Sequence, residues 1–202
     1  LYPTEIGGVK QYVAMTMNSV VGVGQDGALL WKAARPLGKV AICTTPVARD
    51  GIVFVSSAYG IGCTAYTISV SGGKFSADLR YEGKQMMNHH GGVILLDDHV
   101  FGLTENKMEC IDFKTGKVVW SEKSVGKGSI TFADGHFIVR SEKASKGEIA
   151  LVEATPTAYK EKGRFALPDP SGKNTWAYPV VANGKLYIRN QGELYCYDVK
   201  AK

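Results

Sequence analysis

An all-β fold assembled from repeated four-stranded antiparallel units is what this sequence predicts, on three observations. First, a turn led by Asp or Asn and followed by a short apolar strand recurs at Asp50-Gly51, Asp97-Asp98, Asp134-Gly135 and Asn183-Gly184, with lead residues 47, 37 and 49 positions apart. Asp-Gly and Asn-Gly supply the positive φ angles that a tight hairpin needs. Second, a turn followed by a strand carrying Trp returns at Trp31 and Trp120, 89 residues apart. Third, Val, Ile, Tyr, Phe and Thr come in short bursts separated by Gly, Asp and Asn, and helix-forming runs are almost absent.

Each turn is preceded by a short apolar strand, at residues 45–48, 92–96, 129–132 and 178–181. The second half of the unit reads strand, turn, strand. Val20-Val21-Gly22-Val23 leads through Gln25-Asp26-Gly27 to Ala28-Leu29-Leu30-Trp31. Met108-Glu109-Cys110-Ile111-Asp112 leads through Lys114-Thr115-Gly116 to Lys117-Val118-Val119-Trp120. A divergent copy lies between them, with Thr64-Ala65-Tyr66-Thr67-Ile68, then Gly72-Gly73, then Lys74-Phe75-Ser76. Four short strands per unit, at a period of roughly 40 to 50 residues, describe the blade of a β-propeller. The Trp of the outer strand is expected to fill the wedge between neighbouring blades.

The whole of 1–202 is read as propeller, with approximate blades at 4–34, 42–81, 90–123, 127–168 and 175–202. The fifth unit runs out after Cys196-Tyr197-Asp198-Val199, where the outer Trp strand is due. The chain also begins Leu1-Tyr2-Pro3 rather than with Met. Together these predict a fragment of a seven- or eight-bladed ring, completed by missing blades of the same protein or by a partner chain.

Composition narrows the function classes. The net charge of +5, from 24 Lys and Arg against 19 Asp and Glu, is scattered rather than gathered in a stripe, so nucleic acid is not the expected partner. No apolar run is long enough for a transmembrane segment. Cys43, Cys63, Cys110 and Cys196 form no CxxC pair, which removes zinc-knuckle and thioredoxin-like readings. A Cys43–Cys63 bridge stays open.

The stretches 110–120 and 22–31 resemble the repeat of the pyrroloquinoline-quinone-like (quinoprotein-like) propeller family. Asn88-His89-His90-Gly91-Gly92, followed by the repeat at 112–120, is most similar to planctomycete-type members from environmental bacteria. The resemblance implies a fold, and it implies two kinds of protein: quinone-dependent alcohol dehydrogenases and the non-enzymatic lipoprotein scaffold of the outer-membrane assembly machine. It also implies a periplasmic or secreted location. Dehydrogenases of this kind carry a vicinal cysteine pair, an acidic base and a calcium site. This chain has no adjacent cysteines, so no active site carries over, and catalytic residues stay unassigned. The repeat residues Trp31, Asp112, Gly116 and Trp120 shape turns and fill wedges.

The candidate ligand-binding residues are Asn88, His89, His90, Arg140, Trp176 and Tyr178. Asn88-His89-His90 precedes the innermost strand of the third blade, which places it near the axis. Imidazoles there can hydrogen-bond a ligand or move a proton near neutral pH. The competing reading is a loop pinned by polar side chains, with Gly91-Gly92 allowing close backbone approach. Adjacent residues of an extended segment point apart, so no metal is expected. Trp176, Tyr178, Arg140 and Arg189 offer an aromatic surface and charge. His99 and His136 follow matching turns and read as architecture, and Tyr59-Gly60-Ile61-Gly62 reads as a bulge or widened loop. The functional expectation is a binding or assembly scaffold for a small polar or carbohydrate-like ligand or another protein, with no cofactor. The alternative is a quinone-dependent alcohol or sugar oxidoreductase using pyrroloquinoline quinone with calcium, or a sugar-active enzyme working through His89 and His90.

Overall fold

Residues 1–34, 40, 42–143 and 147–200 are described by the structure, a computed structural model, and every strand among them lies in one of five antiparallel sheets. The first sheet holds β1 (Tyr2–Ile6), β2 (Val9–Met15), β3 (Ser19–Gly24) and β4 (Leu29–Ala34). The second holds β5 (Val47–Arg49), β6 (Ile52–Ser57), β7 (Gly62–Ser71) and β8 (Lys74–Gly83). The third holds β9 (Val93–Leu96), β10 (His99–Leu103), β11 (Lys107–Asp112) and β12 (Val118–Lys123). The fourth holds β13 (Gly128–Ala133), β14 (His136–Ser141), β15 (Glu148–Glu153) and β16 (Glu161–Ala166). The last holds three strands, β17 (Val180–Ala182), β18 (Lys185–Asn190) and β19 (Glu193–Asp198). Strands follow chain order across every sheet, so all four-stranded sheets are simple meanders.

The repeated turns form two-residue hairpins. Arg49 pairs with Ile52, Leu96 with His99, Ala133 with His136 and Ala182 with Lys185. Asp50, Asp134 and Asn183 take φ of 51°, 45° and 53°, and the glycine after each is also positive, which gives the twist a hairpin favours. Asp97 takes φ 48° without a glycine behind it.

Successive sheets pack face to face, as propeller blades do. Val13, Val20 and Trp31 meet Val53, Val55 and Tyr66 across the first seam. Phe54, Cys63 and Ala65 meet Val100, Ile111 and Phe113 across the second. Phe101, Met108 and Trp120 meet Phe137, Val139 and Val152 across the third. Ile138 and Ile149 meet Leu186 and Ile188 across the fourth.

A shared irregularity places the wedge residue. In every four-stranded sheet the third strand bulges against the fourth, between Gly22 and Val23, Ala65 and Tyr66, Cys110 and Ile111, and Leu151 and Val152. The residues paired immediately before these bulges are Trp31, Tyr81, Trp120 and Gly163. Trp31 is buried, and its Nε1–H donates to Gln11 Oε1 at 2.6 Å. Trp120 Nε1–H crosses to the carbonyl of Thr155, in the β15–β16 connection of the next unit, at 3.3 Å. In the divergent second unit the wedge is Tyr81. The β7–β8 hairpin has ten-residue strands, which carries the equivalent position further along the chain. Tyr81 Oη–H donates to the carbonyl of Phe113, in the β11–β12 turn of the third unit, at 2.8 Å.

The cysteines are thiols, exposed at Cys43 and Cys196 and buried at Cys63 and Cys110, so the Cys43–Cys63 bridge is not made. Burial pushes the Cys110 thiol up to about 12, with Asp112 adding to the rise. No helix among the described residues is long and apolar enough to cross a membrane.

Candidate functional site

The segment entering β9 divides between two neighbourhoods. Asn88 is buried and faces inward. Its Nδ2–H donates to the carbonyl of Leu103 at 2.8 Å, and its Oδ1 accepts from Thr44 Oγ1 at 3.0 Å. Thr44 Oγ1 also lies 2.9 Å from the carbonyl of His89. Asn88 thus ties the loop to its surroundings through most of its hydrogen-bonding capacity. His89 is buried beside it: its Nε2–H donates to the Glu105 carboxylate, and its ring meets Tyr59 edge-on at 4.6 Å.

His90 turns the other way, as alternation along an extended segment requires. Its Nδ1 lies 3.3 Å from Glu142 Oε2. The same carboxylate accepts Trp176 Nε1–H at 3.0 Å and faces Lys127 Nζ at 3.4 Å. Tyr178 Oη–H donates to the main-chain carbonyl of His90 at 2.7 Å, and the Trp176 ring stands 6.3 Å from the His90 ring. Glu142 therefore gathers side chains from three connections: the loop entering β9, the link between β12 and β13, and the segment before β17. Burial lowers the His90 pKa, outweighing the opposing pull of Glu142, and Lys127 and His89 lower it further. The ring is neutral at pH 7, with Nδ1–H assigned to Glu142 by geometry. Its Nε2 is then an acceptor, and it is buried with no partner among the described residues.

Arg140, from β14, is fully buried. Its Nη1 donates to the carbonyls of Arg189 and Ala177, at 2.5 Å and 3.3 Å, while its Nε has no partner. It holds residues 175–178 in place rather than presenting charge to solvent. Trp176 and Tyr178 are exposed. A shallow depression of about 240 Å³ lies against Thr175, Trp176, Ala177, Arg189 and Gln191.

The structure thus brings His90, Trp176 and Tyr178 together, sets Arg140 behind them, and places Asn88 and His89 in a separate buried network. Glu142, Lys127 and Glu105 were not among the residues predicted from sequence. Glu105 and Glu142 each stand eight residues after their turn residues Asp97 and Asp134, so the repeat itself marks the two carboxylates. Each takes one histidine of the pair. Gly91 and Gly128 let the inner strands close: a β-carbon on Gly91 would fall 1.6 Å from the Gly128 carbonyl oxygen.

Fold and site together define a repeat-built β-sheet protein whose inner loops converge on a buried carboxylate. The family model described as outer membrane protein assembly factor BamB matches residues 17–156. The chain belongs to this pyrroloquinoline-quinone-like β-propeller family. It is 27% identical over 142 residues to the 1-butanol dehydrogenase (quinone) of Thauera butanivorans, a match covering 66% of this chain and 22% of that protein. A europium-containing methanol dehydrogenase superposes with a TM-score of 0.65 at 12% identity, covering 97% of this chain and 50% of the other. A quinohemoprotein alcohol dehydrogenase of Pseudomonas putida HK5 gives 0.58 at 16% identity, covering 79% and 30%. The chain spans about a fifth of the curated relative it matches.

Among the described residues no group of three or more His, Cys, Asp or Glu converges to hold a metal. Lys127 is paired with Glu142, and Arg140 is spent on carbonyls. Among the described residues, the side chains gathered at Glu142 do not make up a calcium site.

Proposed function

We propose that this chain is part of a quinone-dependent oxidoreductase propeller acting on alcohols or sugars, and that the Trp176 depression takes the hydroxylated substrate. The observation that carries the reading is the exposed Trp176, fixed by the buried Glu142, with Arg189 on the same depression. An aromatic face beside a guanidinium is suited to the C–H and O–H surfaces of a small polyol or sugar. The likeness to a quinone-dependent butanol dehydrogenase supports the reaction class. On this reading the quinone is held by blades other than these five, within a ring of seven or eight blades, in the periplasm or outside the cell.

A second reading, an assembly scaffold binding another protein, draws on the family description. The intact protein, supplied with pyrroloquinoline quinone and calcium, separates the two. Dye-linked oxidation of 1-butanol or glucose that Trp176→Ala abolishes supports the enzyme. Quinone uptake without oxidation of any alcohol or sugar rejects it in favour of the scaffold.

A further inference from the structure

Two carboxylates take the same place in consecutive units and are satisfied differently. Glu105 and Glu142 each stand eight residues after the turn residue of their unit, Asp97 and Asp134. Each holds one histidine of the pair. Each histidine in turn has an exposed aromatic ring edge-on to it, Tyr59 at 4.6 Å from His89 and Trp176 at 6.3 Å from His90. At Glu142 one more group completes the set, the Lys127 ammonium at 3.4 Å, and only 11% of the Glu142 side chain is exposed. At Glu105 that place is open. Its side chain is 62% exposed, its Oε1 is engaged by His89, and among the described residues it forms no ion pair with Lys or Arg. The second and third sheets, which supply this open site, each have a packed neighbour on either side.

We propose that Glu105 and Tyr59 bind a primary ammonium group on a short alkyl chain, the chemistry that Lys127 brings to Glu142. Both side chains touch the buried His89 ring, so they lie within reach of one small ligand. An ammonium donates a charge-assisted hydrogen bond to a carboxylate and is drawn to an aromatic face. Its alkyl stem covers apolar surface beside it. Tyr59 is held in position for this contact. It takes φ of 54°, a costly region for a bulky residue, in a turn closed by Ile61 N–H on the Ala58 carbonyl at 3.2 Å. Lys84 Nζ donates to the Gly60 carbonyl at 2.6 Å, which braces the turn and commits that ammonium to backbone. An exposed ring kept on strained backbone gains little from packing, and such strain gathers where side chains meet ligands. The site stands apart from the Trp176 depression and does not depend on how that depression is used.

The test is saturation-transfer NMR on the intact protein at constant ionic strength, with n-butylammonium, n-butanol and a capped peptide carrying one lysine. n-Butylammonium should bind saturably, and butanol, of the same size without the charge, should not displace it. Glu105→Gln keeps an oxygen for His89 and removes the charge. It should weaken amine binding roughly tenfold or more, the equivalent of one charge-assisted hydrogen bond. Tyr59→Gly removes the ring and the backbone strain together, so it should weaken binding while raising the melting temperature. A peptide that binds more tightly than n-butylammonium supports the proposal with a partner's lysine as the ligand, and the reverse order supports it with a free amine. No saturable binding of either amine overturns the proposal, as does binding unchanged in Glu105→Gln or full displacement by butanol. Should Glu105→Gln fail to melt cooperatively, Tyr59→Gly decides, and unchanged binding there overturns the proposal.

Discussion

Tyr81 rests its ring on the backbone of Gly116: a β-carbon there would fall 2.5 Å from the tyrosine Cδ2. The two residues belong to neighbouring sheets, so a turn glycine in one repeat shapes the wedge site of another. Gly116 also holds φ at 73°. Gly116→Ala therefore meets both a conformational penalty and a steric one, and should cost roughly 2–4 kcal/mol. Urea unfolding followed by near-ultraviolet circular dichroism measures it. Gly27, the matching turn glycine of the first sheet, has open space around it, so Gly27→Ala should pay only the conformational part.

Trp120 and Tyr81 should differ in how they fail. Trp120→Ala removes a buried indole from the third seam and should destabilise by about 3–5 kcal/mol. Tyr81→Phe keeps the ring and loses only the hydrogen bond to the Phe113 carbonyl, for a cost of about 1 kcal/mol. Midpoints in a denaturant series separate the two. A Tyr81→Phe loss as large as that of Trp120→Ala would mean that the hydroxyl, not the ring, carries the second seam.

The wedge positions also show what was legible in the sequence. Trp31 and Trp120 announce themselves by residue type and by a repeated turn, because both lie at the same distance from a Gly-containing hairpin. Tyr81 does not. Its hairpin is longer, and only the pairing of Ala65 with Tyr81 before the bulge reveals the equivalence. Gly163, which takes the same register position in the fourth sheet, carries no such mark either. At the candidate site, the histidine pair was visible as a local motif. Its division between two carboxylates depends on which way each side chain points from an extended strand. Glu105 and Glu142 carried a periodic signal, eight residues after the turn, but charged residues just past a strand ordinarily face solvent. Only the fold shows that Glu142 is buried under Trp176.

Stability should depend on pH through His90. Burial holds its pKa below that of an unfolded histidine, so the unfolded chain binds the proton more readily. The neutral ring's contribution is fully present above the unfolded value, near 6.5, and is lost as the pH falls from there through the lower folded value. The titratable groups facing the ring are Glu142, Lys127 and His89. His90→Gln should flatten the change in unfolding free energy between pH 7.5 and pH 5. An unchanged slope would place the titration elsewhere.

The two histidines should separate cleanly on substitution. His89 is buried, with its ring nitrogen on the Glu105 carboxylate and its edge against Tyr59. His89→Ala removes buried packing while the exposed Glu105 carboxylate turns to solvent, so the loss is mainly packing and should cost about 2–3 kcal/mol. His90 lies nearer the surface, beside Trp176, with one nitrogen already unpartnered. His90→Ala gives up a single hydrogen bond to Glu142, which keeps Lys127 and Trp176 as partners, and should cost about 1 kcal/mol. Its effect should instead appear in binding, because Trp176 loses the ring it packs beside and the depression loses its backing. Thermal melts and a Trp fluorescence titration with butanol and glucose, run on both variants, give the comparison. A His90→Ala protein that melts far below wild type while binding normally would make His90 a structural residue like its neighbour.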